Sequence, residues 1–203
     1  MKNFRYVLAG ICFIIFLGIM YSVLKYDSLS IDTSVYNFIS NNIMTNGLHP
    51  YVKVITELGG VGFTVLLTLL IIIFSKKYRW FIAGNVVVTT LVNQIVKHIV
   101  RRPRPSVLRL VDESGYSFPS GHSMVSVALY GIIVYTIYKN VKNKYVKWIS
   151  IVLLSLLVLL IGFSRIYVGV HYFTDVVGGF TLGLVVLIIY IDIYDKVKVK
   201  YEK

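Results

Sequence analysis

The stretch GFSRIYVGVHYFTDVVGG, residues 162–179, decides how this chain folds, because it places polar residues between two long aliphatic runs. One helix over residues 148–193 would rise about 1.5 Å per residue and reach about 70 Å, more than twice the thickness of a bilayer core. The chain must therefore turn within the stretch, near Gly169. The polar residues before that glycine end one helix, and those after it begin the next.

The composition outside this turn is that of a membrane protein. Hydrophobic residues make up 57% of the 203-residue chain and its mean hydropathy is +0.75, against roughly 45–50% apolar residues in soluble domains. A bilayer core needs about 20 mainly apolar residues per helix. We predict an all-α, polytopic membrane protein that forms one integral membrane domain over residues 1–203. The six predicted transmembrane helices are Tyr6–Leu24, Val54–Phe74, Trp80–Val96, Ser123–Tyr138, Trp148–Phe163 and Thr174–Ile193.

The distribution of positive charge predicts the orientation of these spans. With the N-terminus inside, cytoplasmic segments hold thirteen of the 21 lysines and arginines, as the positive-inside rule expects. These are Lys2, Arg5, Lys76, Lys77, Arg79, Lys139, Lys142, Lys144, Lys147, Lys196, Lys198, Lys200 and Lys203. We therefore predict cytoplasmic termini, with the lysine-rich tail near anionic lipid headgroups. The net charge of +12 does not require nucleic acid as a partner.

A second group of cations lies in two outer segments, against this topological bias. Its members are Lys97, Arg101, Arg102, Arg104, Arg109 and Arg165. An anionic ligand at the outer face would explain such a cluster. For Arg101, Arg102 and Arg109 we favour a simpler interpretation, in which they face solvent or lipid headgroups.

The first outer segment contains IDTSVYNFISNNIMTN, residues 31–46, in which helical spacing relates Ile31, Val35, Phe38, Ile39 and Asn42. That spacing gives one apolar face over about two turns. We predict an amphipathic helix on the membrane surface. An ordinary helix packed on the bundle fits the pattern equally well.

His171 and Asp175 are four residues apart, a spacing that stacks two side chains on one face of a helix. The carboxylate can accept a hydrogen bond from one imidazole nitrogen, which leaves the other nitrogen as a nucleophile or base. A satisfied structural pair would show the same spacing, so the pair alone leaves both interpretations open.

The segment FPSGHS, residues 118–123, precedes an apolar helix and forms a second candidate element. Unpaired amides at a helix N-terminus favour a bound anion. Gly121 permits close approach of the backbone, the Ser120 hydroxyl can donate a hydrogen bond, and His122 would face the same anion. A simple helix cap is the alternative.

The segment KHIVRRPRP, residues 97–105, supplies a third element. Lys97 offers a point charge and Arg104 a planar fork suited to phosphate oxygens. Together with Arg165, the three elements meet at the outer ends of four predicted spans. A phosphoryl group accounts for the combination, because its transfer demands positioning, charge neutralisation and protonation of the leaving oxygen.

These residues resemble the three-part signature of the type 2 phosphatidic acid phosphatase (PAP2) superfamily. The matching motifs are Lys97-x6-Arg104-Pro105, Pro119-Ser120-Gly121-His122 and Ser164-Arg165-x5-His171-x3-Asp175. The resemblance implies a phosphatase that needs no metal or other cofactor and forms a phosphohistidine. It implies His171 as nucleophile, Asp175 as its orienting partner and His122 as general acid. The phosphate ligands that it implies are Lys97, Arg104, Ser120, Gly121 and Arg165.

The size of the chain and its six predicted spans resemble the bacterial lipid phosphatase branch of this superfamily. A lipid phosphate is the implied substrate, and membrane lipids are the implied surroundings. Phosphatidylglycerol phosphate, undecaprenyl pyrophosphate and phosphatidic acid all remain open, as does the oligomeric state. The competing class is a transporter or channel for anionic solutes, in which the cations would form a selectivity filter.

Overall fold

The computed structural model describes residues 2–201 and contains no strand among them, so the all-α prediction is confirmed for this part of the chain. Met1, Glu202 and Lys203 lie outside the described residues, as do the side chains of Lys198 and Lys200, to which the tail prediction refers. The helices are α1 (Lys2–Lys25), α2 (Ser30–Asn42), α3 (His49–Glu57), α4 (Val61–Phe74), α5 (Arg79–Val100), α6 (Gly121–Asn140), α7 (Lys144–Tyr167) and α8 (Phe173–Tyr201).

Four of the described helices, α1, α6, α7 and α8, are long and apolar enough to cross a membrane. The pair α3 and α4 passes the same test jointly, which gives up to five spans. Large apolar side chains on α1, α4 and α7 point outward, as Ile14, Ile73 and Leu153 do with exposed fractions of 71%, 67% and 61%. Such exposure fits a lipid environment, and the protein is a multi-pass membrane protein.

The structure divides the predicted second span at residues 58–60, where α3 and α4 meet at an angle of 46°. Two glycines allow this break. A side chain at Gly59 would collide with Ile161 of α7, and one at Gly60 would approach the imidazole of His122 to 3.6 Å. The bend therefore brings backbone close to a candidate catalytic histidine.

Helix α5 covers the predicted third span but is not among the four apolar helices, because one of its faces is polar and buried. Asn85, Thr89, Asn93 and Lys97 follow one another at intervals of four residues and lie on that face. The Asn85 amide donates to the Ala128 carbonyl of α6 at 2.8 Å. The same polar stripe that lowers the hydropathy of α5 therefore attaches it to α6 and places Lys97 inside the bundle.

Helix α6 lies at the centre of the bundle and packs against α5, α7 and α8, while α1 packs against α8. Met124, Ala128 and Ile132 of α6 are fully buried. Gly179 of α8 lies so close to the backbone of Ser120 that a side chain there would reach within 2.7 Å of its carbonyl oxygen. This close contact joins the beginnings of α6 and α8, where two of the sequence motifs lie.

The helix predicted in the first outer segment is present as α2, packed on α7 and α8. Its buried residues are Asp32 and Ile39, whereas Ile31 and Phe38 of the predicted apolar face are exposed. Only part of that apolar face is therefore packed against the bundle. Contact of the rest with a membrane surface stays a prediction.

Candidate active site

Residues 162–179 contain the turn between α7 and α8, as the length of residues 148–193 required. Gly169 adopts a φ of 75°, in the left-handed region that favours glycine. A side chain there would also strike the backbone of Leu108, in the long loop between α5 and α6. That loop is joined to the turn by the Leu110 amide, which donates to the Val168 carbonyl at 3.0 Å. Loop and turn therefore form one structural unit.

His171 lies in this turn, two residues before α8 begins, and not inside a helix as the four-residue spacing had suggested. Its Nδ1 nevertheless lies 3.3 Å from Oδ2 of Asp175. Its Nε2 faces the opposite way, 3.3 Å from Nη1 of Arg104. Burial lowers the pKa of His171 to about 3, and the nearby Asp175 opposes that shift only in part. The imidazole is therefore neutral at physiological pH, with one nitrogen toward a carboxylate and the other toward a cation.

Two arginines and a carboxylate lie beside this imidazole. Arg104 donates to the Val170 carbonyl at 2.9 Å and approaches Oε2 of Glu113 at 3.5 Å. Arg165, almost fully buried, donates to the Thr56 hydroxyl at 2.7 Å and forms an ion pair with Oε1 of Glu113. The same Oε1 lies 4.0 Å from Nδ1 of His122. A carboxylate of the chain itself thus occupies the space between three candidate phosphate-handling residues.

The PSGH segment forms the turn that begins α6. The Ser120 amide donates to the Asp175 carbonyl at 3.0 Å, which fixes the turn against the start of α8. The Ser120 hydroxyl accepts hydrogen bonds from the amide and the hydroxyl of Ser123, so it caps α6 as the alternative interpretation expected. Gly121 is packed against Asn93, where a side chain would approach Oδ1 to 3.3 Å.

The Lys97 ammonium group donates to the carbonyls of Tyr116 and Ser117. It therefore ties the end of α5 to the loop that precedes the PSGH turn. These contacts leave it close to the cavity described next, so a bound anion would compete with backbone carbonyls for this cation.

A cavity of about 660 Å³ connects these groups. Five of the eight predicted site residues line it, namely Lys97, Arg104, Gly121, His122 and His171. Asp175 lies behind His171, Arg165 reaches the cavity through Glu113, and Ser120 lies behind the turn. Apolar residues of α4 and α5 form another wall, and Val61, Val65, Val87 and Leu91 in it are more than half exposed. The cavity therefore joins a charged end to an apolar side.

The interpretation of Arg102 as a solvated or headgroup-facing residue was wrong. Its side chain is fully buried, and it forms ion pairs with Asp32 at 2.7 Å and with Asp175 at 2.6 Å. Arg101 and Arg109, the other two arginines of that interpretation, are exposed. The sequence alone could not separate the three, because the partner Asp32 lies 70 residues away along the chain.

Sequence reasoning also missed Glu113 and Ser117. Glu113 contacts the arginines described above, and the Ser117 hydroxyl donates to Oδ2 of Asp175. Neither residue belongs to a motif, and both lie in the irregular loop before the PSGH turn. A carboxylate within a cationic outer loop was the one available signal for Glu113.

Comparison with known proteins gives the chain a family. The model of the PAP2 superfamily matches residues 62–198. Phosphatidylglycerophosphatase B of Bacillus subtilis (strain 168) is 37% identical over 156 residues, which cover 71% of this chain and 74% of that protein.

Two solved structures share the fold. The crystal structure of a transmembrane PAP2 type phosphatidylglycerolphosphate phosphatase from Bacillus subtilis superposes with a TM-score of 0.81 and 29% identity, covering 93% of this chain and 96% of the other. Aquifex aeolicus LpxE superposes with a TM-score of 0.68 and 23% identity, covering 82% and 98%, and shows the likeness of the fold alone.

The helical bundle and these relatives define a lipid phosphate phosphatase of the membrane-embedded class. More particularly, the chain belongs to the PAP2 superfamily. The resemblance inferred from the motifs is therefore confirmed, and the enzyme class replaces the transporter alternative.

Proposed function

We propose that the protein hydrolyses lipid phosphates without a metal ion, through a covalent phosphohistidine on His171. The observation that carries this proposal is the placement of Nε2 of His171. This nitrogen lies beside Arg104, where a carboxylate oxygen of Glu113 already shares the space with Arg104 and Arg165. A neutral imidazole at the edge of an oxyanion site is the arrangement that in-line attack on phosphorus requires.

Arg104 and Arg165 bind the phosphate oxygens in this proposal, with Lys97 and the amide of Gly121. Substrate phosphate replaces the Glu113 carboxylate, whose position marks where an oxyanion is electrostatically favoured. Ser120 contributes in this proposal by supporting, through its contacts with Ser123, the turn that presents the Gly121 amide. The three cations supply the charge neutralisation that phosphoryl transfer needs.

Catalysis proceeds in two steps. Nε2 of His171 attacks phosphorus, the bond to the leaving oxygen breaks, and His122, in its protonated form, donates a proton to that oxygen. Water then attacks the phosphohistidine, its proton passes to His122, and the bond between nitrogen and phosphorus breaks. Inorganic phosphate leaves, and both histidines return to their initial states. Asp175 holds Nδ1 of His171 throughout.

Metal removal is expected to leave activity intact, because cationic side chains perform the neutralisation. Hydrolysis of a lipid phosphate by the purified protein should persist in excess EDTA and be blocked by vanadate, which resembles the transferring phosphoryl group. Release of inorganic phosphate measures both effects. Activity that disappears in EDTA and returns with a divalent cation would contradict the mechanism.

We propose phosphatidylglycerol phosphate as the first substrate to examine, since two of the similar proteins carry that activity in their names. Undecaprenyl pyrophosphate, phosphatidic acid and diacylglycerol pyrophosphate complete the comparison. The ratios of kcat/KM across these four lipids decide between monoester and pyrophosphate preference. Equal kcat/KM values for the four lipids would show that the enzyme does not select among their headgroups.

We further propose six membrane crossings by α1, the bent pair α3 and α4, α5, α6, α7 and α8, within one domain over residues 1–203. The active site then lies on the extracytoplasmic side, and α2 lies on the outer surface. Support comes from the opposite end of the bundle, where contacts between Tyr78 and Asn140 and between Arg5 and Asp195 join the lysine-rich inner segments.

Cysteine labelling is expected to show this orientation. In a Cys12→Ser background, an impermeant thiol reagent added to intact cells should label Asp112→Cys and spare Lys142→Cys, since both positions are exposed but lie at opposite ends. Permeabilised cells should label both variants, which controls for reactivity. Labelling of Lys142→Cys alone in intact cells would reverse the proposed orientation.

A further inference from the structure

A buried polar network outside the cavity surrounds Arg102. Its guanidinium group lies between Asp32 of α2 and Asp175 of α8, at 2.7 and 2.6 Å. The same group donates to the Thr174 hydroxyl at 2.9 Å and stacks on the ring of Tyr172, 3.9 Å from its centroid. Both aspartates and the arginine have fully buried side chains. Burying three charges costs several kcal/mol per ion unless each is paired, so the network requires all its members.

The two carboxylate oxygens of Asp175 have different partners, and Arg102 binds only one of them. Oδ1 accepts from Arg102, whereas Oδ2 accepts from the Tyr172 amide at 2.9 Å and from the Ser117 hydroxyl, and lies 3.3 Å from Nδ1 of His171. The bond to Oδ1 therefore fixes the rotation of the carboxylate. Without it, only the Tyr172 amide and the Ser117 hydroxyl would hold the carboxylate against the imidazole.

Asp32 extends this control to the backbone that carries Asp175. Its Oδ1 accepts from the Thr174 amide at 2.9 Å and from the Thr174 hydroxyl at 2.8 Å. The Thr174 amide lies in the first turn of α8, where backbone amides have no intrahelical partner. A carboxylate of α2, 142 residues away in sequence, thus caps the helix from which the orienting aspartate projects.

We propose that Arg102 and Asp32 are positioning residues for phosphorylation of His171, acting through Asp175. Arg102 holds Oδ1 of Asp175 in place, and Asp32 holds both Arg102 and the start of α8. The inference rests on the proposed function, in which His171 is the nucleophile. Positioning of this kind affects the chemical step, whereas the cations that bind phosphate are untouched. The expected loss is therefore in kcat and not in KM.

The test is a double-mutant cycle with full-length protein in detergent micelles and phosphatidylglycerol phosphate as the probe. The variant Asp32→Asn/Arg102→Gln removes both charges of one ion pair together, so that Asp32 is not left as a buried charge without its partner, while Asp175 keeps the hydrogen bonds from the Tyr172 amide and the Ser117 hydroxyl. We expect kcat to fall about 10- to 100-fold, the size of effect that supporting residues have elsewhere. KM and the vanadate inhibition constant should stay within about threefold. Arg101→Gln, the same substitution at the exposed neighbour, serves as the matched control and should leave kcat unchanged.

The cycle separates positioning from a merely structural role. In an Asp175→Asn background, the same double substitution should lower kcat less than about twofold, because the residue through which it acts is already disabled. Equal losses in both backgrounds would overturn the proposal, as would full kcat in the double variant. Should the double variant fail to fold, Arg102→Lys keeps the charge but loses the two-sided geometry. Arg102→Lys should then show the same loss of kcat at unchanged KM. Added to the Asp175→Asn variant, it should cause no such loss. Full kcat in Arg102→Lys would overturn the proposal.

His171→Ala distinguishes failure of this inference from failure of the proposed function. Activity of the His171→Ala enzyme would show that His171 is not the nucleophile, and the role proposed for Asp175 would be rejected with it. An inactive His171→Ala enzyme beside a fully active double variant would reject the Arg102 and Asp32 inference alone.

Discussion

Substitution of His171 by alanine is expected to lower kcat by about 10⁵-fold or more, the scale on which loss of a covalent nucleophile acts. The reason is geometric, since its Nε2 lies at the cation cluster and its Nδ1 at Asp175. No other group of the cavity combines a neutral nitrogen with a buried carboxylate behind it, among the residues that the structure describes. Release of phosphate from a radiolabelled lipid measures the loss.

The same variant should form no phosphoenzyme when quenched at alkaline pH, where phosphohistidine survives. His49→Ala is the matched control, because that histidine lies on α3 against Tyr167 and outside the cavity. It should retain normal kcat and a normal phosphoenzyme. A labelled protein after His171→Ala would assign the nucleophile to another residue.

Substitution of His122 by alanine is expected to lower kcat on a lipid phosphate by about 10²- to 10⁴-fold, the usual contribution of a general acid and base. An alkoxide leaves slowly without a proton, and hydrolysis of the intermediate lacks its base. A substrate with a good leaving group, p-nitrophenyl phosphate, needs less protonation in the first step. Its phosphoenzyme should therefore form and then persist.

This accumulation separates the two histidines, since His171→Ala should show none with either substrate. His98→Ala offers a control at the cavity edge, where the ring contacts the Gln94 carbonyl and not the anion site. If His122→Ala gave no phosphoenzyme while His171→Ala did, the two assigned roles would have to be exchanged.

The sequence predicted the parts of this protein that depend on local pattern. Length arithmetic located the turn at Gly169, and motif spacing brought His171, Asp175 and the PSGH segment to one end of the bundle. Those predictions succeed because helix rise, bilayer thickness and side-chain spacing are fixed by backbone geometry.

What the sequence could not predict depends on contacts between distant segments. The break between α3 and α4 follows from Gly59 packing on Ile161, a neighbour from another helix. Burial of Arg102 follows from Asp32, and the place of Glu113 follows from the course of an irregular loop. The polarity of α5 was similarly ambiguous, because the sequence does not show that the Asn85 amide donates to a carbonyl of α6.

The apolar wall of the cavity, with Val61, Val65, Val87 and Leu91 exposed along it, leads us to expect that the rate depends on the substrate concentration in the membrane and not in solution. If the headgroup binds at the histidines as we propose, the lipid chains can stay among neighbouring lipids, and we expect the substrate to approach by lateral diffusion within one leaflet. The rate then follows the mole fraction of substrate in that leaflet and not its amount per volume of solution. Diluting the substrate with inert lipid should therefore slow turnover, even when the total quantity in the tube is constant.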